Sequence, residues 1–247
     1  MSQPLRPARL AGVIFDLGGT LIYPSTTDED GIRRLTDWLV EQGWPEAVGE
    51  ALREARQWVL ESTAATGRQH TMQEGIRRAL RQFADRSPGP AFIEAAEHVF
   101  FEPELAGYRP FPGAVRLLHQ LARAGLALAC ISNATSHWLI QRIVDGMGFG
   151  PFFDPVVSSA GFGRPKPDPA IFHSVLQQWN LTPDRVAMVG DTLATDIAGA
   201  RGAGMRSVYV TMRPNPENAA HLHIRADAEA GTLAEAGRVL LEWARED

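Results

Sequence analysis

The chain has 247 residues, 45% hydrophobic and 21% charged, with 24 Lys plus Arg against 29 Asp plus Glu for a net charge of −5. This composition excludes disordered and fibrous classes, and the acidic balance argues against nucleic acid or an anionic membrane as a partner. A single cysteine, Cys130, excludes a disulfide framework and argues against a cysteine-based zinc site. There is no run of about 18 apolar residues, and residues 1–9 lack the apolar core of a signal peptide, so the expected location is cytoplasmic.

The first predicted strand is Gly12–Phe15, a short apolar run with β-branched residues, broken by Asp16-Leu17-Gly18-Gly19-Thr20. From about residue 28 to about residue 105 the apolar spacing becomes helical. Ile32, Leu35 and Leu39 form one stripe, and Val48, Leu52, Ala55 and Val59 a second. Met72, Ile76, Leu80 and Phe83 form a third, and Phe92, Ala96, Val99 and Phe100 a fourth. Gly43-Trp44-Pro45, Gly67-Arg68-Gln69 and Ser87-Pro88-Gly89-Pro90 separate the stripes, which predicts a bundle of four helices.

After Pro112, helix and strand alternate. Helices are predicted over 113–124, 136–147, 169–179, 195–203 and 233–244, and strands over 126–131, 156–157, 186–189 and 207–210. Apolar strands between helices imply a parallel sheet with both faces covered: an α/β fold with a three-layer, Rossmann-like core. A direct crossover between parallel strands needs only about 30 residues, so the helical stretch is an insertion between the first and second strands. The expected division is residues 1–24 and 106–247 as the core and 25–105 as the inserted helical unit.

In an open parallel sheet, ligands bind beyond the carboxyl ends of the strands, at the point where strand order reverses. Asp16 follows the first predicted strand, Ser132 and Asn133 the second, and Gly190 and Asp191 the strand over 186–189, with Asp196 one helical turn further on. Lys166 is the only lysine of the chain, and it stands between Pro165 and Pro167, which restrict its backbone. Carboxylates converging from two strand ends repel one another unless a cation lies among them, and hard oxygen ligands suit Mg²⁺. An ammonium, a hydroxyl and backbone N–H groups suit phosphoryl oxygens, and a carboxylate at a strand tip can attack phosphorus.

Four motifs stand in order: Phe15-Asp16-Leu17-Gly18-Gly19-Thr20-Leu21, Ile131-Ser132-Asn133, Arg164-Pro165-Lys166-Pro167-Asp168-Pro169 and Gly190-Asp191-Thr192-Leu193-Ala194-Thr195-Asp196. Together they resemble the haloacid dehalogenase-like superfamily of phosphohydrolases, and the helical insertion resembles that family's C1-type cap. The resemblance implies a Mg²⁺-dependent phosphohydrolase acting on a small phosphorylated metabolite through an aspartyl-phosphate. It implies Asp16 as nucleophile and metal ligand, and Ser132, the Asn133 backbone and Lys166 as holders of the phosphoryl oxygens. Asp191 would be the second metal carboxylate, Asp196 would support the metal directly or through water, and Gly18 would offer its carbonyl. The implied partner is a small-molecule phosphate ester, with no nucleic acid and no membrane, for a monomer or homodimer.

Gly18 departs from the pattern. Phosphatases of the family carry a second Asp there, which protonates the leaving oxygen and later activates water; such a group is worth about 10²–10⁴-fold in rate. Two alternatives therefore stay open: a catalytically weak protein that binds a phosphorylated ligand, and a dehalogenase. Dehalogenases also lack this Asp, but their last motif is metal-free, unlike Gly190-Asp191. Phosphonate cleavage would need a cap lysine, and none lies between Met1 and Arg164. Asp28-Glu29-Asp30 is a candidate source of the missing acid, though more simply the solvated start of a helix. Ser132 has a plain reading as a helix cap, and Asp191 and Asp196 as helix-start charges. Trp44 and Trp58 offer possible substrate contacts, while His221 and His223 are more simply surface residues and Cys130 core.

Overall fold

The computed structural model describes residues 8–83 and 88–246; residues 1–7 of the leading segment and Ser87 of the third separator lie outside them. In chain order the first elements are β1 (Gly12–Phe15), β2 (Ile22–Tyr23), α1 (Asp28–Glu41), α2 (Val48–Thr66), α3 (Met72–Leu80), α4 (Pro90–Gly107) and β3 (Arg109–Pro110). Then follow α5 (Ala114–Arg123), β4 (Ala127–Ser132), α6 (His137–Gly146), β5 (Val156–Ser158), α7 (Ser159–Phe162) and α8 (Pro169–Trp179). The chain continues with β6 (Val186–Gly190), a π-helical turn (Leu193–Ile197), α9 (Ala198–Gly202), β7 (Arg206–Val210), β8 (Ala228–Ala230) and α10 (Leu233–Trp243).

Six strands form one parallel sheet in the order β5-β4-β1-β6-β7-β8. The chain moves outward from β1 to β5, then crosses to β6 on the other side of β1, so strand order reverses between β1 and β6. Phe15 stands opposite Cys130 on one side and Val189 on the other, which brings the carboxyl ends of three central strands level.

Side-chain alternation along β1 feeds both faces. Val13 and Phe15 join Leu128, Cys130, Ala187 and Val189 in the core under α5, α6 and α10. Ile14 joins Ala129, Ile131 and Met188 under α8 and α9, where Phe172 and Val175 pack. Complete burial of such side chains stabilises by roughly 1.5–3 kcal/mol each. Cys130 is wholly enclosed, and burial pushes its thiol upward from the ordinary value, so it is core.

The four helices of the insert leave the sheet after β2 and return at β3, and these two strands pair antiparallel with Ile22 opposite Pro110 and Tyr23 opposite Arg109. Helix α3 begins with a reciprocal cap: Thr71 Oγ1 accepts from Glu74 N at 3.2 Å, and Thr71 N donates to Glu74 Oε2 at 2.9 Å. Helix α4 starts on Pro90, tolerates Pro103, and runs on to Gly107.

Three features depart from the sequence expectations. The segment expected as one helix over 195–203 is a π-helical turn followed by α9. Strand β8 has the sequence Ala-Glu-Ala, without β-branched residues, and is held by pairing with β7. The β2–β3 pair is too short to show as alternation and exists because the two ends of the insert meet. Among the described residues no helix is long and apolar enough to cross a membrane.

Candidate active site

Asp16 stands at the tip of β1, Asp191 directly after β6, and Asp196 in the π-helical turn; one oxygen of each lies within 4.8 Å of the others. Two glycines permit this convergence. A Cβ on Gly190 would come within 2.3 Å of Asp196 Oδ2, and a Cβ on Gly19, whose φ is +80°, within 2.3 Å of Asp191 Oδ2. The turn folds Asp196 back onto the strand end, where its Oδ2 accepts from Thr192 N at 3.0 Å. Asp191 Oδ2 accepts from Asn215 Nδ2 at 3.0 Å. Asn218 braces the same turn, donating to the Asp191 carbonyl at 2.8 Å and accepting from Leu193 N at 2.7 Å.

Lys166 arrives from the opposite side with its side chain only 1% exposed. Its Nζ lies 2.7 Å from Asp16 Oδ1 and 2.7 Å from Asp196 Oδ1, and donates to the Ile131 carbonyl at 2.9 Å. Asn133 clamps its backbone, with Oδ1 accepting from Lys166 N at 2.8 Å and Nδ2 donating to Lys166 O at 3.0 Å. Ser132 closes β4 and lines the cavity; the cap of α6 is Ser136, whose hydroxyl accepts from Leu139 N at 3.2 Å, so Ser132 is not spent on capping.

The electrostatics follow from these contacts. Burial alone would depress the Lys166 ammonium, but the charges and hydrogen bonds of Asp16 and Asp196 hold it above its ordinary value. Burial, then the charges of Asp16 and Asp196, push the Asp191 carboxyl up to about 7 against the pull of Asn215 and Lys166. Asp196 is also pushed up, chiefly by burial, with Lys166 opposing and Asp16 adding to the rise. Three carboxylates share one ammonium, so the cluster lacks positive charge, and its oxygen-only donor set is the kind a Mg²⁺ ion fits.

These groups open into a cavity of about 770 Å³ between the strand ends and the helical insert. Asp16, Gly18, Ser132, Asn133, Lys166 and Asp196 line it, and half-buried Asp191 adjoins it through the carboxylate cluster. The insert contributes Arg56, Gln69, Phe101 and Glu104, and Tyr108 joins them where the chain returns to β3. Asp28, Glu29 and Asp30 are engaged elsewhere, Asp28 with Arg56 at 2.9 Å, Glu29 with Arg53 at 2.5 Å and Asp30 with Thr27 N at 2.9 Å. Trp44 packs on Phe92, and Trp58 on His70 and Arg78, away from the cavity wall. His221 and His223 lie on a surface turn and belong to no metal-sized cluster among the described residues.

Sequence reasoning missed Asn215, Asn218, Glu104 and Tyr108. Asn215-Pro216 carries the signal of a helix start, but nothing local says that the asparagine reaches Asp191. Glu104 and Tyr108 stand four apart at a helix end, a spacing that predicts mutual contact without saying what the pair faces.

A family model described as haloacid dehalogenase-like hydrolase matches residues 10–204, and the chain belongs to that family of hydrolases. It is 33% identical over 177 residues to the phosphoserine phosphatase of Thermus thermophilus, covering 71% of this chain and 70% of that protein. It is 28% identical over 203 residues to the glyceraldehyde 3-phosphate phosphatase of Methanopyrus kandleri, covering 81% of this chain and 84% of that protein. Among solved structures, a 2-haloacid dehalogenase from Pseudomonas syringae pv. tomato DC3000 superimposes with a TM-score of 0.71 and 28% identity, over 95% of this chain and 100% of that one.

Proposed function

We propose that the protein is a Mg²⁺-dependent phosphohydrolase acting on a small phosphorylated metabolite through an aspartyl-phosphate, with residues 25–105 serving as a C1-type cap. The observation that carries this reading is the cluster of Asp16, Asp191 and Asp196 around the single buried Lys166 ammonium. The relatives named for phosphoserine and glyceraldehyde 3-phosphate support it, since both are small phosphate esters. A cavity of about 770 Å³ has the size of a small-molecule site.

The Asp16 carboxylate attacks phosphorus, and the P–O bond to the leaving group breaks. Lys166 Nζ fixes the orientation of that carboxylate and contributes positive charge beside the phosphoryl group, while the Ser132 hydroxyl and the Asn133 backbone hold its oxygens. Mg²⁺, held by Asp16, Asp191, Asp196 and the Gly18 carbonyl, would supply charge that offsets the phosphoryl oxygens. Water then attacks the aspartyl-phosphate and releases Asp16.

Asp16→Asn should lower phosphate release by on the order of 10³-fold or more with the fold unchanged. The measurement is phosphate release from a panel of small phosphate esters, with circular dichroism as the control. Retained activity in that variant overturns the covalent route. The likeness to a 2-haloacid dehalogenase, together with Gly18, favours dehalogenation as a second reading. Halide release from a 2-haloacid in EDTA, without phosphate release from any ester, would establish it instead.

A further inference from the structure

Resting on the phosphohydrolase reading, we propose that Glu104, held by Tyr108, is the general acid and base that Gly18 cannot be. In-line attack by Asp16 from the tip of β1 would send the leaving group of a phosphate ester away from the strand ends, toward the cavity wall built by the insert. Three ionisable side chains of the insert and of its return toward β3 line that wall among the described residues: Arg56, Glu104 and Tyr108. Arginine side chains do not act as proton donors to a leaving group in proteins, and the Arg56 guanidinium is bound by both oxygens of Asp28, at 2.9 and 3.0 Å, and to Thr135 Oγ1 at 3.1 Å. The Tyr108 phenol is pushed upward by burial and by neighbouring Glu104, which makes it a poor proton donor near neutrality. Glu104 is the one carboxyl on that wall.

The remaining carboxyls at the cavity lie on the core side. Asp168 caps α8 through Ala170 N at 2.9 Å and pairs with Arg164 at 2.9 Å, so it is held as a carboxylate. Glu217 stands on the exposed rim, and Asp16 and Asp196 are occupied with Lys166.

The position of Glu104 is tied to Gly18 by the hinge of the insert. Tyr108 donates to Glu104 Oε1 and immediately precedes β3. Strand β3 pairs with β2, and Phe111 N donates to the Leu21 carbonyl at 2.9 Å. Strand β2 in turn closes the loop that carries Asp16 and Gly18, through a bridge between Gly18 and Ile22. Glu104, near the end of α4 and held by Tyr108, therefore stands beside the short sheet that also closes the loop of Gly18. Among the described residues nothing donates a hydrogen bond to its Oε2, which leaves that oxygen for a ligand. Burial raises the Glu104 carboxyl above its ordinary value, with Asp28 adding to the rise and Tyr108 and Arg56 opposing it.

The step balances. As Asp16 forms its bond to phosphorus, the electron pair of the breaking P–O bond goes to the leaving oxygen, which takes the Glu104 proton and departs as an alcohol. Glu104, now a carboxylate, takes a proton from the water that attacks the aspartyl-phosphate. The pair of the breaking bond returns to Asp16, and phosphate leaves with Glu104 again protonated.

The test compares an aryl ester, p-nitrophenyl phosphate, with an alkyl ester, glycerol 3-phosphate, in excess Mg²⁺. Glu104→Gln should lower kcat/KM on the alkyl ester by about 10²–10⁴-fold and on the aryl ester by less than about tenfold, because a nitrophenolate leaves without a proton. In the unmutated protein, the alkyl profile should fall on the alkaline side in a limb that the aryl profile lacks. Equal losses on both esters, an unchanged alkyl rate, or identical pH profiles overturn the proposal, the last without any variant. If Asp16→Asn keeps its activity, the phosphohydrolase reading fails and this proposal falls with it. A loss confined to the alkyl ester, with Asp16→Asn silent on both, supports the two together.

Discussion

Gly18 is open where its neighbours are closed. A Cβ there meets nothing within 4 Å, and its φ lies outside the left-handed region, whereas Gly19 and Gly190 are filled by the carboxylates of Asp191 and Asp196. A side chain at Gly18 is therefore admitted by both space and backbone. In a Glu104→Gln background, Gly18→Asp should raise kcat/KM on alkyl phosphates by about tenfold or more relative to aryl phosphates, approaching the usual worth of a placed acid, whereas with Glu104 in place it should add little. A gain shared equally by both ester types would mean that the new carboxyl acts on binding rather than on proton transfer. The strand-end residues were legible in the sequence because each motif sits at a turn whose residue types the backbone itself demands. The work of Asn133 was not, since its side chain clamps Lys166 across a gap in sequence that no local pattern spans.

At the scale of elements, hydrogen bonds tie the start of α3 and the turn before it to loops and α7 of the core. Gln69 N donates to the Gly163 carbonyl at 2.8 Å, Met72 N to the Thr135 carbonyl at 2.8 Å, and Ser159 Oγ to Gln69 Oε1 at 2.7 Å. Helical stripes in the sequence showed which faces of α1 to α4 pack inward. They could not show these docking bonds, which depend on where two separate elements come to rest. Gln69→Ala removes the acceptor of Ser159 and the donor to the His70 carbonyl, at a cost of about 1–3 kcal/mol to the docked arrangement. Amide hydrogen exchange around residues 67–72 should accelerate while β1, β4 and β6 stay protected. Equal loss of protection in the sheet would show that insert and core open as one unit.

Over the whole molecule, the shifted carboxyls tie stability to pH. Between the ordinary aspartate value of 3.8 and the value of about 7 for Asp191, the folded chain holds more protons than the unfolded one. Stability without Mg²⁺ should therefore fall as the solution passes from about pH 5 to about pH 8. Asp196 adds in the same direction, as does Glu104. The carboxyls held low, Glu29, Asp30, Glu74 and Asp168, are ionised in both states over that window and contribute no slope. A cation bound to the cluster replaces the protons there, so Mg²⁺ should flatten most of the decline. At about 100 times its dissociation constant it should add about 2.7 kcal/mol, or roughly 5–10 °C in Tm for a chain of this size. Thermal unfolding at the two pH values, with EDTA and with Mg²⁺, checks both; a pH slope indifferent to the cation would place the titrating groups outside the cluster.

The solitary lysine has a consequence beyond the reaction. Its side chain is 1% exposed and bound on three sides, and it is the only side-chain amine the chain possesses. The folded surface, rich in guanidinium groups, thus offers acylating and reductively alkylating reagents no ε-amine at all. Any label found at residue 166 must have entered while the centre of the molecule was taken apart, so the extent of its modification is a count of such openings.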